Sequence, residues 1–161
     1  MSTDRFPVKS WIQESAQLNT MEEYERRYRL SLDNPSWFWA EEAKALAWFH
    51  PWHRVFDADY DAVDFAWFSG GRINACYNCV DRHVDRGDGD KVALIWAADE
   101  PGEYQRITYR ELKHQVARVA NVLLHKGVKK GDRVAIYMPM IPQAVYAMLA
   151  WHGSVVLAVV L

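Results

Sequence analysis

Thr108-Tyr-Arg-Glu-Leu-Lys-His-Gln-Val-Ala-Arg-Val-Ala-Asn-Val-Leu-Leu-His-Lys-Gly127, followed by Val134-Ala-Ile-Tyr-Met-Pro-Met-Ile-Pro142, decides the fold class. Thr108 and Glu111 have the spacing of a capping box, in which hydroxyl and carboxylate satisfy amide donors at a helix start. Leu112, Val116, Val119, Ala120 and Leu123 then recur at offsets of 4, 7, 8 and 11, an apolar stripe on one helical face. Gly127 stands where a C-terminal cap belongs. Lys130-Gly-Asp132 leads into the short apolar strand Val134–Met138, and Pro142 opens a second helix running to about His152. Val155–Leu161 returns as a Val-rich strand. Helix, strand, helix and strand in this order predict the start of a parallel α/β sheet with covered faces. Such a sheet needs more strands and helices than the sequence supplies, so the domain is expected to be incomplete.

Upstream, Val92–Trp96 and Tyr104–Thr108 flank Glu100-Pro101-Gly102 and predict a β-hairpin. Arg86-Gly-Asp-Gly-Asp90 reads as an exposed loop, and a boundary is placed there. The division is 1–86, an aromatic-rich helical and irregular region, and 87–161, the beginning of an α/β domain. Within the first region, Met21–Leu30 predicts a short helix. Asn34-Pro35 starts another, with Trp39, Ala43, Leu46 and Phe49 on one face and Pro51 closing it. Val55-Phe56 and Ala66-Trp67-Phe68 are short extended candidates before Gly70-Gly71. Asn74 caps a helix running to about Asp85 that buries Cys76, Val80 and Val84.

Half of the 161 residues are hydrophobic and a quarter are charged, the balance of one ordinary soluble domain. Eight Trp, eight Tyr and six Phe predict an aromatic-rich core. Nineteen Lys and Arg against 21 Asp and Glu give a formal charge of −2, which disfavours nucleic acid and anionic lipid as partners. Two Cys and a polar N-terminus make the cytoplasm the expected compartment. Ala144–Leu161 carries no charged residue, so a tail anchor is the alternative there, but Gly153-Ser154 divides it into a helical and a strand half.

Motifs with chemical potential each have a plainer alternative. Cys76-Tyr-Asn-Cys79 with His83 could share a helix face as a metal or redox site, yet zinc asks for four ligands and the two Cys also suit an amphipathic helix as small hydrophobes. Asp85, Asp88 and Asp90 surround two glycines, but their spacing misses the EF-hand order. Glu22-Glu23 and Glu41-Glu42 are neighbours on helices and so point apart. The six His accompany no nucleophile elbow. Neither Gly-x-x-x-x-Gly-Lys nor Gly-x-Gly-x-x-Gly is present, so no phosphate cradle is encoded in recognisable form. No catalytic, cofactor-binding or metal-binding residue is assigned.

Six stretches nevertheless resemble a known family, the AMP-forming acetyl-CoA synthetases (acetate–CoA ligases) among the adenylate-forming ligases. They are Trp37-Phe-Trp-Ala-Glu-Glu-Ala43, Trp67-Phe-Ser-Gly-Gly-Arg-Ile-Asn74, Tyr77-Asn-Cys-Val-Asp-Arg-His83, Gly89-Asp-Lys-Val-Ala-Leu-Ile-Trp96, Ile107-Thr-Tyr-Arg-Glu-Leu112 and Val128 to Pro142. The last, which contains Tyr-Met-Pro-Met-Ile-Pro, is the most specific. The resemblance covers roughly Tyr24 to Ala150 and makes this an N-terminal fragment. It implies a reaction of acetate with ATP to give acetyl-adenylate and pyrophosphate, then transfer of the acetyl group to coenzyme A. ATP, CoA and Mg2+ belong to that full-length reaction; none is expected to bind tightly to this chain, which is expected to be inactive alone. The choice between acetate and propionate is left open.

After Ala150 the family continues with a small residue and Ala-Arg-Ile-Gly-Ala, whereas this chain reads Trp151-His-Gly-Ser-Val-Val-Leu-Ala-Val-Val-Leu161. That abrupt departure points to a frameshifted, misassembled or truncated reading frame. An unfinished sheet should also make the chain prone to self-association. Two alternatives remain: a non-catalytic module binding a partner through the aromatic half, and a small Cys/His metal protein.

Overall fold

The computed structural model describes residues 7–150 and 158–160, which form two compact units. One comprises Met1–Ala45 and Trp52–Gly70, the other Leu46–Pro51 and Gly71–Leu161.

The first unit begins with α1 (Ser10–Ser15) and α2 (Met21–Asp33). Thr20 caps α2 by accepting the amide of Glu23 at 3.2 Å. In α3 (Pro35–Ala43), Pro35 occupies the first turn and Asn34 Oδ1 accepts the Trp37 amide at 3.2 Å, as the Asn-Pro pair predicts. An Arg27–Glu42 ion pair ties α2 to α3, and the Arg27 guanidinium lies 5.7 Å from the Phe38 ring centroid. Both extended candidates become strands. β2 (Arg54–Asp59) and β3 (Asp64–Ser69) pair antiparallel, with Phe56 opposite Trp67. Trp67 is the hub of the unit, in contact with Phe56 at 4.3 Å and edge-on to Trp39 at 6.1 Å between centroids.

The second unit is organised on α4 (Tyr109–His125). Its start carries the full capping box: Thr108 Oγ1 accepts the Glu111 amide at 3.3 Å, and Glu111 Oε2 accepts the Thr108 amide at 2.8 Å. The next amides, of Tyr109 and Arg110, donate to the carbonyls of Lys91 and Gly89. At the other end Gly127 takes φ +83°, and Val128 N–H reaches back to Leu123 C=O at 3.1 Å, a Schellman closure. β5 (Val92–Ala97) and β6 (Tyr104–Thr108) form the expected antiparallel hairpin. β7 (Ala135–Tyr137), α5 (Pro142–Leu149) and β8 (Ala158–Val160) complete the unit, with β7 and β8 paired parallel and in register from Ala135↔Ala158 to Tyr137↔Val160. The remainder of the expected Val155–Leu161 strand, and the Trp151 departure, lie outside the described residues. The tail-anchor alternative also falls partly outside them. No helix among the described residues is long and apolar enough to cross a membrane.

Three expectations are corrected. The helix opened by Asn34-Pro35 stops at Ala43 rather than at Pro51, and Trp48–His50 forms strand β1, paired antiparallel with β4 (Arg72–Ile73). The cause is Asn78, whose Oδ1 accepts the Ala47 amide at 2.7 Å while its Nδ2 donates to the Ala47 carbonyl at 3.0 Å. Both backbone groups of Ala47 are thereby withdrawn from helical pairing. Second, Arg86–Asp90 is no simple exposed loop. Helix runs on from Asn74 through two wide, π-type turns, Tyr77–Asp81 and Val84–Asp88, kinks at Gly87 with φ +91°, and leaves Gly89 buried.

Third, the core is mainly aliphatic. The buried cluster of the second unit is Cys76, Val80, Ile107, Leu112, Val116, Tyr146 and Ala150, whereas Trp37, Trp39, Phe65 and Trp67 remain about half exposed. A two-stranded hairpin and three short helices have too little surface to cover so many rings.

Thr108→Ala removes the hydroxyl half of the capping box and should cost about 1 kcal/mol. Val80→Ala, at the one side chain with 0% exposure in that cluster, should cost about 2 kcal/mol through the cavity left behind. Urea unfolding followed by far-UV circular dichroism measures both. A Thr108→Ala chain as stable as the parent would show that the cap does not hold α4.

Candidate functional site

The chemically most varied cluster of the second unit lies where the helix after Asn74 crosses α4. Asn74 Oδ1 accepts the Tyr77 amide at 2.9 Å and starts the helix, as expected. The wide turns then bring Cys76 and Asp81 together: the thiol donates to Asp81 Oδ2 at 3.7 Å. Lys113, from α4, reaches Asp81 at 3.1 Å and Asp85 at 3.7 Å. The hydrogen bond to Asp81 is the main cause holding the Lys113 ammonium above its ordinary pKa.

This geometry separates the three residues of the Cys-x-x-Cys–His reading. Cys76 faces the core at 4% exposure, Cys79 faces solvent, and His83 stacks on Tyr109 with its Nδ1 at 2.7 Å from Arg86. Burial first, and the Asp81 carboxylate second, push the Cys76 thiol up to about 12. A thiol so held is neutral at physiological pH and a poor nucleophile or metal ligand. Among the described residues no group of three or more His, Cys, Asp or Glu side chains could hold a metal ion.

The acidic triplet is likewise partnered. Asp88 pairs with Lys91 at 2.9 Å, Asp90 with Arg110 at 3.1 Å and Asp85 with Lys113. Asp85 and Asp90 therefore fasten the chain turn to α4, and Asp88 closes the turn on Lys91, instead of the three converging. The Glu pairs also diverge, with Glu23 on Arg26, Glu41 on Lys44 and Glu42 on Arg27.

Two further features were not foreseen. Asn78 is a buried polar side chain, and Arg82 Nη1 donates to its Oδ1 at 3.1 Å, so the amide bracket on Ala47 is itself oriented by a charge. On ordinary helical turns Asn78 lies off the Cys76–Val80–Val84 stripe, so the sequence pattern gives no signal for its burial. The second is an apolar groove of about 230 Å³ between β5 and the bend leading into α5, lined by residues that include Leu94, Ile95, Met140 and Val145. Trp96 fixes it, its indole N–H donating to the Met140 carbonyl at 2.8 Å. A second hollow, about 320 Å³, is lined by residues that include Leu123, Leu124, Val128, Lys129 and Lys130.

The ordered motifs and this scaffold define a class. A family model described as AMP-binding enzyme matches residues 80–161, half of the chain, and one described as acetyl-coenzyme A synthetase N-terminus matches residues 24–79. The chain belongs to the AMP-binding enzyme family. Among its relatives, acetyl-coenzyme A synthetase 2 of Pseudomonas aeruginosa is 52% identical over 145 residues, 89% of this chain and 22% of that protein. Acetyl-coenzyme A synthetase of Alkalilimnicola ehrlichii is 46% identical over 149 residues, 92% of this chain and 23% of that protein. Acetoacetyl-CoA synthetase from Streptomyces lividans is a solved structural neighbour with TM-score 0.72 and 30% identity, covering 93% of this chain and 23% of that one. The chain thus spans less than a quarter of the length of these relatives.

On the folded chain at pH 8, iodoacetamide should modify Cys79 and leave Cys76 intact until denaturant is added, as read by intact mass and peptide mapping. The raised Cys76 value also has a stability consequence. The folded state keeps a proton that the unfolded thiol loses near its ordinary value of about 8.5, so this contribution is complete below that pH and disappears as pH rises to about 12. Cys76→Ala should flatten the alkaline decline in unfolding free energy, and an unchanged slope would contradict the burial.

Proposed function

We propose that this chain is the N-terminal portion of an AMP-forming acetate–CoA ligase. The reaction joins acetate to ATP as acetyl-adenylate with release of pyrophosphate, then passes the acetyl group to the thiol of coenzyme A with release of AMP. The observation that carries this reading is 52% identity across 89% of the chain to a protein named acetyl-coenzyme A synthetase, with both family models in consecutive order. ATP, CoA and Mg2+ are proposed for the complete enzyme. The described residues do not fit Mg2+, because Asp85, Asp88 and Asp90 each pair with a Lys or Arg and diverge. No step is therefore assigned to them.

The parallel β7–β8 pair is read as two strands of a larger parallel sheet, and the domain division is taken as 1–86 and 87–161. Parallel pairs are found with both faces covered, yet Tyr137 on β7 is 83% exposed. That exposure, with Ile95, Leu124 and Met140 also open, supports self-association of the isolated chain. A cytoplasmic location is proposed and is supported by the two unpaired cysteines.

Alone, the chain should catalyse no acetate-dependent exchange of labelled pyrophosphate into ATP. Spliced covalently in place of the 145 matched residues of the Pseudomonas aeruginosa relative, it should restore exchange within about tenfold of that enzyme. A folded but inactive chimera would overturn the assignment.

A further inference from the structure

We propose that the hollow at the carboxyl end of α4 is a binding site for a free monocarboxylate with an alkyl chain, the chain lying on the apolar lining and the carboxylate against Lys129 and Lys130. Acetate has no chain to place there. The site is therefore separate from any acetate pocket and does not rest on the function proposed above.

The apolar part is made by the end of α4 and the chain that folds back on it. Gly127, at φ +83°, lets the backbone reverse. Gly127 N–H then donates to Leu124 C=O at 3.0 Å, and Val128 N–H to Leu123 C=O at 3.1 Å, which holds Val128 beside the last helical turn. Ala120 and Ala150 complete the apolar lining. Leu124 stays 69% exposed on it. The volume of about 320 Å³ lies at the small end of the range of roughly 300–1,000 Å³ that small-molecule sites occupy.

The polar part carries one sign of charge. The Lys129 amide donates to Asp132 Oδ2 at 2.6 Å, and the Asp132 amide returns to the Lys129 carbonyl at 3.0 Å. This turn fixes where both lysines leave the backbone, and it commits the neighbouring carboxylate to an amide. Lys126, Lys129, Lys130 and Arg133 flank that single Asp, and none of the four forms an ion pair among the described residues. Cations elsewhere in this unit are matched, Lys91 with Asp88 and Arg110 with Asp90. The chain as a whole is at −2, so the excess of cations is local.

An apolar hollow beside ammonium groups without a counter-ion selects a ligand in two parts. The chain gains by leaving water, and the anionic head gains charge-assisted hydrogen bonds. An alkyl amine would meet like charge. A nucleotide or sugar would set polar groups against Ala and Leu side chains.

The test places a reporter thiol in the hollow of the whole chain as Leu124→Cys with Cys79→Ser, where the remaining thiol, Cys76, is buried. Saturating octanoate should slow maleimide labelling at least fivefold, and acetate should not slow it. From hexanoate to octanoate to decanoate the half-protecting concentration should fall about tenfold per step of two methylenes. Lys129→Ala with Lys130→Ala should raise it at least fivefold, while Lys44→Ala, on the other unit, should leave it unchanged. Against variants that fold poorly, the parent chain gives a second reading: octanoate should raise its urea midpoint and leave iodoacetamide labelling of Cys79 unaltered. Octanol as effective as octanoate, no dependence on chain length, full protection in the double Lys variant, or slowed Cys79 labelling would overturn the site. Equal protection by phosphatidylglycerol vesicles would also overturn it and assign the basic rim to a lipid surface.

Discussion

The apolar stripe of α4 is the constraint on which the second unit depends. Leu112 and Val116 are buried against Cys76 and Val80 on one side and Ile107 on another, so a single helix face joins the wide-turned helix to the β5–β6 hairpin. Tyr146 and Ala150 belong to the same cluster and bring α5 onto it. A helix can organise three neighbours only if its ends are fixed. Here the capping box, the Lys91 and Gly89 carbonyls and the Gly127 closure leave few terminal groups to fray. Loss of that face would strand each neighbour as an element too small to persist alone.

Polar contacts around that core position elements instead of reacting. The Cys76–Asp81–Lys113 series contains a thiol, a carboxylate and an ammonium, three groups that elsewhere perform catalysis. Burial and the adjacent Asp81 carboxylate hold the thiol protonated, while the Lys113 ion pair at 3.1 Å turns Asp81 toward α4. The wide turns are what make the contact possible, because they bring residue 81 under residue 76, five positions apart. The cluster is therefore a fastening between two helices, made of groups whose reactivity its geometry suppresses.

What was legible in the sequence is what local patterns decide. The α4 boundaries, the β5–β6 hairpin, the Asn34-Pro35 and Asn74 starts and the Pro142 start each depend on residues within one turn of the event. What was not legible depends on residues far apart. The helix break after Ala43 is imposed by Asn78, 31 positions beyond Ala47, and no local propensity encodes it. The expected aromatic core failed for a different reason: ring count says how much apolar surface exists, not whether small hairpins and short helices can cover it. The Cys-x-x-Cys reading assumed ordinary helical turns, and the wide turns sent Cys79 outward and Cys76 inward.

The motif that identifies the family does its work through shape. Within Val134–Pro142, Ile136 is buried, Pro142 sets the first turn of α5 and the Met140 carbonyl receives the Trp96 indole. Each of these residues places a strand, a bend or a helix start; none supplies a proton, a nucleophile or a charge. Trp96 lies in another of the resembling stretches, so two motifs distant in sequence are coupled by one hydrogen bond across 44 residues. The indole donor depends on Trp at position 96, whereas the acceptor is a backbone carbonyl that depends on the path of the bend. Family membership is consequently readable from residues that shape the scaffold.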